Sequence, residues 1–305
     1  MKKIKIWIEC ARLRTLPVSL SGVIIALGFA AWQDKFNWIP AVLCVLFALL
    51  AQIVSNMANE YYDYLKGTDK PGRDGPRRGV TEGDISPNTL RNVTFTLLVL
   101  DCLVGLGMLW YGEWWLIIVG LIIAIFALAY SAGPYPLSYH GLGEAAVFIF
   151  FGVVPVVFTH HVVSMTPLSF SPSNMLVLLA SMAIGFMGVN VLLVNNYRDV
   201  DDDREAGKNT SVVIFGKKPA AAAYLINGYV AVALLTPLWL GCLFMDERLP
   251  LWALAAPALY LVLHTVTWYQ LTTRQGKALN PLLGGTARNM LFFTIILTAA
   301  LACAH

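Results

Sequence analysis

The sequence NNYRDVDDDREAGKNT occupies residues 195–210 and directly follows an apolar run, roughly Met175 to Val194. An apolar run of that length is long enough to cross a membrane as a helix. If the helix continues into the charged stretch, Asn196, Asp199 and Asp203 share one face, because their spacing is i, i+3 and i+7. Carboxylates crowded on one face repel one another unless a cation holds them together. The stretch therefore predicts either a cation site at the end of a membrane helix or a solvated, charged helix end.

A second acidic cluster ends another apolar run, at Asn56, Asn59, Glu60 and Asp63, which also share one helical face. Glycine and proline in the chain that follows predict a loop. The basic residues of this loop are Lys66, Lys70, Arg73, Arg77 and Arg78. An ordinary positively charged loop is one interpretation. The other is a phosphate site, in which a divalent cation bridges the phosphate and the acidic face. Oxygen ligands of this kind suit Mg²⁺.

The composition is that of an integral membrane protein, since 58% of the 305 residues are hydrophobic, only 13% are charged and the mean hydropathy is +0.67. We predict an all-α bundle of nine transmembrane helices that forms a single domain over residues 1–305. The nine apolar runs lie near 16–32, 38–58, 89–110, 114–130, 143–160, 175–196, 219–243, 250–271 and 288–304.

The distribution of basic residues predicts the orientation of this bundle. With a cytoplasmic N-terminus, nine spans place 19 of the 21 basic residues on the cytoplasmic side and leave only Lys35 and Arg248 outside. We therefore expect a multi-pass protein of the inner (plasma) membrane with a cytoplasmic N-terminus and an external C-terminus. The formal net charge is +3, but the basic residues are concentrated on one side of the membrane in this topology. The net charge therefore does not indicate a nucleic-acid partner. The five cysteines are scattered and form neither a disulfide framework nor a metal motif.

One further residue and one further segment each have two interpretations. Asp101 falls near the middle of the third predicted span, where a carboxylate should face the bundle interior, as either a hydrogen-bonded structural group or a functional one. The segment YSAGPYPLSYHGLGE, residues 130–144, has three tyrosines and no lysine or arginine. It predicts either a wall of a pocket for a flat ring or a surface turn anchored by tyrosines.

The two acidic clusters end the second and sixth predicted spans, four spans apart, which suggests a pseudo-symmetric cavity open to the cytoplasm. Carboxylates and basic loops around such a cavity suit a diphosphate bound with Mg²⁺. The surrounding bundle is apolar and contains 9 Trp, 12 Tyr and 15 Phe, which indicates a lipid as the rest of the substrate. If an allylic carbon–diphosphate bond breaks, aromatic side chains would shield the carbocation from water.

At these residues the chain resembles the UbiA superfamily of intramembrane aromatic prenyltransferases. The first aspartate-rich motif of that family, NDxxD, corresponds to Asn59–Asp63, with Glu60 where aspartate is usual, and the second, DxxxD, corresponds to Asp199–Asp203. Longer strings are similar to the subgroup that prenylates 1,4-dihydroxy-2-naphthoate. They are ARLRTLP (11–17), KGTD (66–69), GPRRGVTEGDIS (75–86), AGPYPLSYHGLGE (132–144) and the stretch 195–210.

The resemblance implies a function and a set of site residues. The expected reaction transfers a polyprenyl chain from polyprenyl diphosphate to 1,4-dihydroxy-2-naphthoate in the lipid bilayer, with loss of CO₂ and diphosphate, giving demethylmenaquinol. The candidate Mg²⁺ ligands are Asn59, Glu60, Asp63, Asp199 and Asp203, of which the three aspartates are the candidate catalytic residues. The candidate substrate-binding residues are Asn56, Lys66, Arg78, Arg198 and Lys208. No general base is assigned.

Two alternatives remain open at this point. Another aromatic acceptor, such as 4-hydroxybenzoate or homogentisate, would keep the diphosphate site and change only the acceptor pocket. A cation-coupled transporter also carries membrane carboxylates, but it usually places them near the bilayer midplane in broken helices. Both acidic clusters here lie at helix ends, which favours an enzyme.

Overall fold

A computed structural model describes residues 2–69, 77–244 and 249–304. The part of loop 66–78 that spans residues 70–76, with Lys70 and Arg73, lies outside the described residues, as does Arg248. The described chain is helical, and its one recorded β-contact is an isolated bridge between His140 and Asn209. The helices are α1 (Lys2–Ala11), α2 (Leu16–Trp32), α3 (Trp38–Leu65), α4 (Pro87–Gly107), α5 (Leu116–Ala129), α6 (Gly143–Val147), α7 (Val154–Ser164), α8 (Pro172–Arg198), α9 (Val200–Glu205), α10 (Ser211–Phe215), α11 (Lys217–Leu234), α12 (Thr236–Phe244), α13 (Ala255–Thr273) and α14 (Asn280–Ala302).

Within the described residues, seven helical segments are long and apolar enough to cross a membrane. They are Ile4–Trp32, Trp38–Leu65, Pro87–Trp110, Gly143–Ser164, Pro172–Arg198, Leu251–Thr273 and Gly276–Ala302. The prediction of a multi-span α-helical membrane protein is therefore confirmed. The other two predicted spans correspond to α5, which has only 14 residues, and to α11 followed by the short α12. The count of nine transmembrane helices stays a prediction.

Small residues let the central helices approach closely. The helix α2 lies against α14, α7 and α3, and α8 lies against α11. A π-helix, Phe148–Val153, joins α6 to α7 and crosses α8 where two glycines meet. A Cβ atom added to Gly152 would lie 2.3 Å from the Gly185 Cα atom. Within a membrane, where lipid tails are as apolar as leucine, such close backbone contact is a main source of helix association.

Both acidic clusters lie at helix ends, as the sequence predicts. The helix α3 continues to Leu65, so the cluster from Asn56 to Asp63 is part of its last turns. The helix α8 ends at Arg198, and Asp199 separates it from α9. Helical hydrogen bonds nevertheless cross this junction, from Asp199 N to the Asn195 carbonyl at 3.1 Å and from Asp203 N to the Asp199 carbonyl at 2.8 Å. The helical spacing assumed for Asp199 and Asp203 therefore persists.

Candidate functional site

The ammonium group of Lys208 joins the two acidic clusters. Its Nζ atom lies 4.0 Å from Asp63 Oδ2 and 3.6 Å from Asp203 Oδ1. Lys208 follows α9, and its backbone N–H donates to the Asp203 carbonyl at 2.8 Å, which fixes the turn that brings its side chain back over the cluster. Asp63 and Asp203 are both buried. One positive charge between two buried carboxylates relieves their mutual repulsion.

Two hydrogen bonds orient the carboxylate of Asp63. The Tyr139 hydroxyl donates to its Oδ1 atom at 2.9 Å, and Asn59 Nδ2 donates to its Oδ2 atom at 3.0 Å. Asn59 in turn accepts a 2.6 Å hydrogen bond from Arg12 and donates to the Ser131 hydroxyl at 2.9 Å. The tyrosine-rich segment 130–144 and the chain just after α1 therefore both reach the first acidic cluster.

Asp199 forms a buried pair with its neighbour in sequence. Arg198 donates from Nε to Asp199 Oδ1 and from Nη2 to Asp199 Oδ2, each at 2.6 Å. Arg198 also donates to Asn280 at 3.2 Å and to Asn195 at 2.9 Å. The predicted diphosphate ligand Arg198 and the predicted metal ligand Asp199 thus neutralise each other in this structure.

The carboxylate of Glu60 takes partners on a different side of α3. Its Oε1 atom accepts a hydrogen bond from the Val80 N–H at 3.2 Å and one from the Cys10 thiol at 3.4 Å. Glu60 is 0% exposed, and it fastens α3 to α1 and to the segment that begins at residue 77. In the described chain, no three His, Cys, Asp or Glu side chains converge as a ready metal site. The Oε2 atom of Glu60 is buried and receives no hydrogen bond from any described residue, and the metal-ligand role of Glu60 stays a prediction.

Both lysines of the site lie near the ring of Tyr139. Lys66 Nζ lies 4.2 Å from the centre of the Tyr139 ring and donates to the Ser131 carbonyl at 2.7 Å, while Lys208 Nζ lies 5.5 Å from the same ring. Partial burial lowers the pKa of Lys66 below 10.5, Asp63 opposes that shift and Lys208 adds to it. Burial and the nearby Asp63 charge raise the pKa of Tyr139, so its phenol stays protonated and donates. The sequence placed Tyr139 only within a candidate pocket wall.

The remaining predicted residues occupy supporting positions. Arg78 pairs with Asp69 at 3.0 Å, and both side chains are buried. Asn56 donates to the Ala11 carbonyl at 2.9 Å and to the Thr15 hydroxyl at 3.0 Å, so it links α3 to the end of α1 and to the residue before α2. Asp69 was not predicted as a site residue. Its signal was the string KGTD, where a carboxylate follows the first acidic cluster by six residues.

A polar cavity of about 150 Å³ opens beside the joined clusters. Its polar walls come from the ends of α3 and α8 and from the segments around them. They include Arg12, Asn59, Arg78, Glu144, Asn196 and Lys208. The segment 130–144 lines it through Tyr130, Ser138, Gly141, Gly143 and Glu144, which fits its interpretation as a pocket wall.

An apolar cavity of about 310 Å³ adjoins the polar one. It lies among α2 to α5, α7 and the π-helix, and Asp101 lines it, buried inside the bundle as predicted. Five residues line both cavities: Gln52, Ser55, Tyr130, Val147 and Phe151. The two cavities therefore share a wall, polar on one side and apolar on the other.

The fold is that of membrane-embedded UbiA homologues. The structure superposes with a TM-score of 0.66 on a UbiA homolog from Archaeoglobus fulgidus bound to DMAPP and Mg²⁺, with 15% sequence identity and coverage of 96% of this chain and 99% of that one. The chain belongs to the UbiA prenyltransferase family, whose sequence profile matches residues 19–296.

Two curated relatives are similar over nearly their whole length. A 1,4-dihydroxy-2-naphthoate octaprenyltransferase of Escherichia coli is 34% identical over 304 residues, which cover 95% of this chain and 92% of that protein. A protein of the same name from Haemophilus influenzae is 31% identical over 315 residues, which cover 98% of this chain and 96% of that protein. These similarities agree with the family resemblance that the sequence motifs indicate.

Proposed function

We propose that this protein transfers a polyprenyl chain from polyprenyl diphosphate to 1,4-dihydroxy-2-naphthoate. The observation that carries the proposal is the shared wall between the two cavities. An amphiphile whose diphosphate lies among Lys66, Lys208 and the acidic clusters would extend its apolar tail past Tyr130 and Phe151 into the larger cavity. The bond between diphosphate and chain then falls at the boundary. The names of the curated relatives support the naphthoate as acceptor.

The residues of the acidic clusters fit a divalent cation. Asp63 and Asp203 already flank one positive charge, that of Lys208, and Asn59 presents an amide beside them. Asn59, Asp63 and Asp203 would hold Mg²⁺, and Asp199 would join them if its pair with Arg198 opens. The cation, when bound, neutralises charge on the diphosphate as it leaves. Lys208 would then turn from the carboxylates to the phosphate oxygens.

The reaction balances without a general base. The allylic C–O bond breaks and its electron pair leaves with the diphosphate. The ring carbon that bears the carboxylate forms the new C–C bond. The bond to the carboxylate then breaks, CO₂ departs and the electron pair returns to the ring, which gives demethylmenaquinol. Lys66, Lys208 and Arg78 would stabilise the negative charge that develops on the leaving group. The rings of Tyr130 and Phe151, in the shared wall, would face the cationic carbon and exclude water.

The proposal places the site at the cytoplasmic surface of the inner membrane. The basic segments that flank both acidic clusters support this orientation. A polyprenyl tail would reach the apolar cavity from the bilayer, because α4 and α5 beside it expose large apolar side chains such as Leu103 and Ile117.

The test is an incubation of purified protein and Mg²⁺ with a polyprenyl diphosphate and a panel of aromatic acids, followed by identification of the products by mass. We expect a decarboxylated, prenylated product from 1,4-dihydroxy-2-naphthoate and little product from 4-hydroxybenzoate. Equal turnover of both acids would overturn the acceptor assignment and leave the prenyltransferase assignment standing. No product from any acid would overturn both.

A further inference from the structure

Glu144 presents a carboxylate at the wall of the polar cavity with one oxygen engaged and one not. Its Oε1 atom accepts hydrogen bonds from Asn196 Nδ2, at 3.1 Å, and from the Ser211 hydroxyl. These partners lie on α8 and α10, whereas Glu144 lies in the first turn of α6. The Oε2 atom is buried and receives no hydrogen bond from any described residue. Buried polar atoms of this kind usually have a partner, so Oε2 needs a donor from elsewhere.

The substrates limit what that donor is. A carboxylate accepts hydrogen bonds and repels negative charge. Polyprenyl diphosphate offers only acceptor oxygens and a hydrocarbon chain, and the carboxylate of the acceptor acid is equally unsuitable. The hydrogen-bond donors that remain are the two ring hydroxyls of 1,4-dihydroxy-2-naphthoate. The 1-hydroxyl is adjacent to the carboxylate and donates to it within the molecule. The 4-hydroxyl is the free donor.

We infer that Glu144 accepts a hydrogen bond from the free ring hydroxyl of the aromatic acceptor and makes the enzyme selective for dihydroxylated acids. The inference rests on the proposed function and adds a specificity-determining residue to it. No proton transfer is required, since a hydrogen bond to a charged acceptor already increases electron density in the ring.

The cavity supplies what the rest of the acceptor needs. Arg12 lines it and would provide positive charge for the carboxylate of the acid. Leu192 and Tyr130 pack closely against Gly143 beside Glu144, since a Cβ atom there would lie 3.2 Å from Leu192 and 3.3 Å from the Tyr130 hydroxyl. A flat ring placed in this cavity would have its carboxylate toward Arg12 and a hydroxyl toward Glu144.

The experiment compares two acids that differ only at this hydroxyl, 1,4-dihydroxy-2-naphthoate and 1-hydroxy-2-naphthoate. Equilibrium binding of each acid is measured without prenyl diphosphate, and kcat/KM is measured with it, for the wild type, Glu144→Gln and Glu144→Asp. Glu82→Gln makes the same chemical change at an exposed position and is the matched control. We expect the wild type and the control to prefer the dihydroxy acid by about tenfold or more. Glu144→Gln should reduce the preference to less than about threefold. Glu144→Asp should also reduce the preference, because the aspartate side chain is shorter and its carboxylate lies farther from the ring hydroxyl.

The outcomes separate the inference from other roles of Glu144. If Glu144→Gln weakens both acids equally, the residue only holds Asn196 and Ser211 in place, and the inference is overturned. If the preference persists while the Mg²⁺ concentration for half-maximal rate rises, Glu144 binds the cation instead, and the inference is again overturned. An undiminished preference in Glu144→Asp also contradicts it. A wild type that binds the dihydroxy acid preferentially but forms no product would contradict the proposed function and leave this inference standing.

Discussion

The Tyr139 hydroxyl donates a 2.9 Å hydrogen bond to Asp63 Oδ1, across 76 residues of sequence. The same hydroxyl lies 2.6 Å from the Thr68 hydroxyl, and its ring lies under the Lys66 ammonium at 4.2 Å. One tyrosine therefore orients a carboxylate and positions a cation. The Tyr139 phenol, together with the attraction between opposite charges, therefore positions the residues that are expected to bind the diphosphate.

Tyr139→Phe should reduce kcat/KM for polyprenyl diphosphate by about tenfold, because it removes the hydrogen bond to Asp63 and keeps the ring under Lys66. The Mg²⁺ concentration for half-maximal rate should rise, since the Asp63 carboxylate loses its orientation. Steady-state kinetics over a Mg²⁺ titration measure both effects. Tyr135→Phe is the control, because Tyr135 is exposed and stacks on His140. Similar losses in both variants would contradict the role of Tyr139.

Asp203→Asn should lower turnover by at least about 10²-fold, because it removes one negative charge from a site that must hold a cation against diphosphate. Asp201→Asn should have little effect, since the Asp201 side chain is 78% exposed and pairs with the exposed Arg204. Turnover of the two variants under saturating substrates is the measurement. Equal, mild effects would mean that the acidic stretch is a solvated helix end.

Asp199→Asn should lower turnover to a similar extent and also destabilise the protein, in contrast to Asp203→Asn. The sequence alone suggests that folding tolerates this change, because a charge at a helix mouth contributes little to packing. The structure corrects this expectation, since the substitution leaves the buried Arg198 guanidinium without its carboxylate partner. Breaking a buried pair costs roughly 3–5 kcal/mol. A thermal unfolding midpoint equal to that of Asp203→Asn would show that Asn195 and Asn280 suffice for Arg198.

The rate should fall on the alkaline side as Lys66 loses its proton. Partial burial lowers the pKa of Lys66 below 10.5, so the ammonium form that attracts diphosphate predominates only below that lowered pKa. The pH profile of kcat/KM for polyprenyl diphosphate reports the free enzyme and should decline at a pH below 10.5. Lys66→Arg should move the decline to higher pH, because a guanidinium stays charged. An unchanged alkaline limb in this variant would assign the decline to another group.

Gly152→Ala should lower the thermal unfolding midpoint by several degrees or prevent folding. Its added methyl group would lie 2.3 Å from Gly185 Cα and 2.6 Å from Gly185 N, and backbone atoms have little room to move. Gly120→Ala is the control, because no atom lies within 4 Å of its added Cβ. Unfolding of both variants in detergent, followed by tryptophan fluorescence, is the measurement. A Gly152→Ala midpoint equal to that of the control would mean that the π-helix and α8 do not pack as described.

A reporter fused after His305 should be active only outside the cytoplasm. The expectation follows from the 19 basic residues that nine spans place on the cytoplasmic side. Reporters of both kinds, one active inside and one active outside, provide the control. Cytoplasmic activity of the fusion would contradict nine spans and favour an even number.

Hydropathy and helical spacing by themselves determined that this chain is a membrane bundle with an acidic cluster at two helix ends. Both are local properties: an apolar run needs no partner to be recognised, and Asn59 and Asp63 share a face because one helix contains them. The same local reasoning could not show the partners of Glu60. Spacing places it beside Asn59 and Asp63, and the packing of α1 and Val80 against α3 engages one of its carboxylate oxygens.

Only the tertiary structure decided which distant residues complete the site. Lys208 lies between Asp63 and Asp203, Tyr139 lies against Asp63, and Glu144 lies between α8 and α10. None of these contacts follows from periodicity, because each depends on how helices far apart in sequence pack and on where the loops between them turn. Periodicity gives no role to a lysine after an acidic cluster or to a glutamate after GLG. Its role is decided by the partner that the fold places within hydrogen-bonding distance.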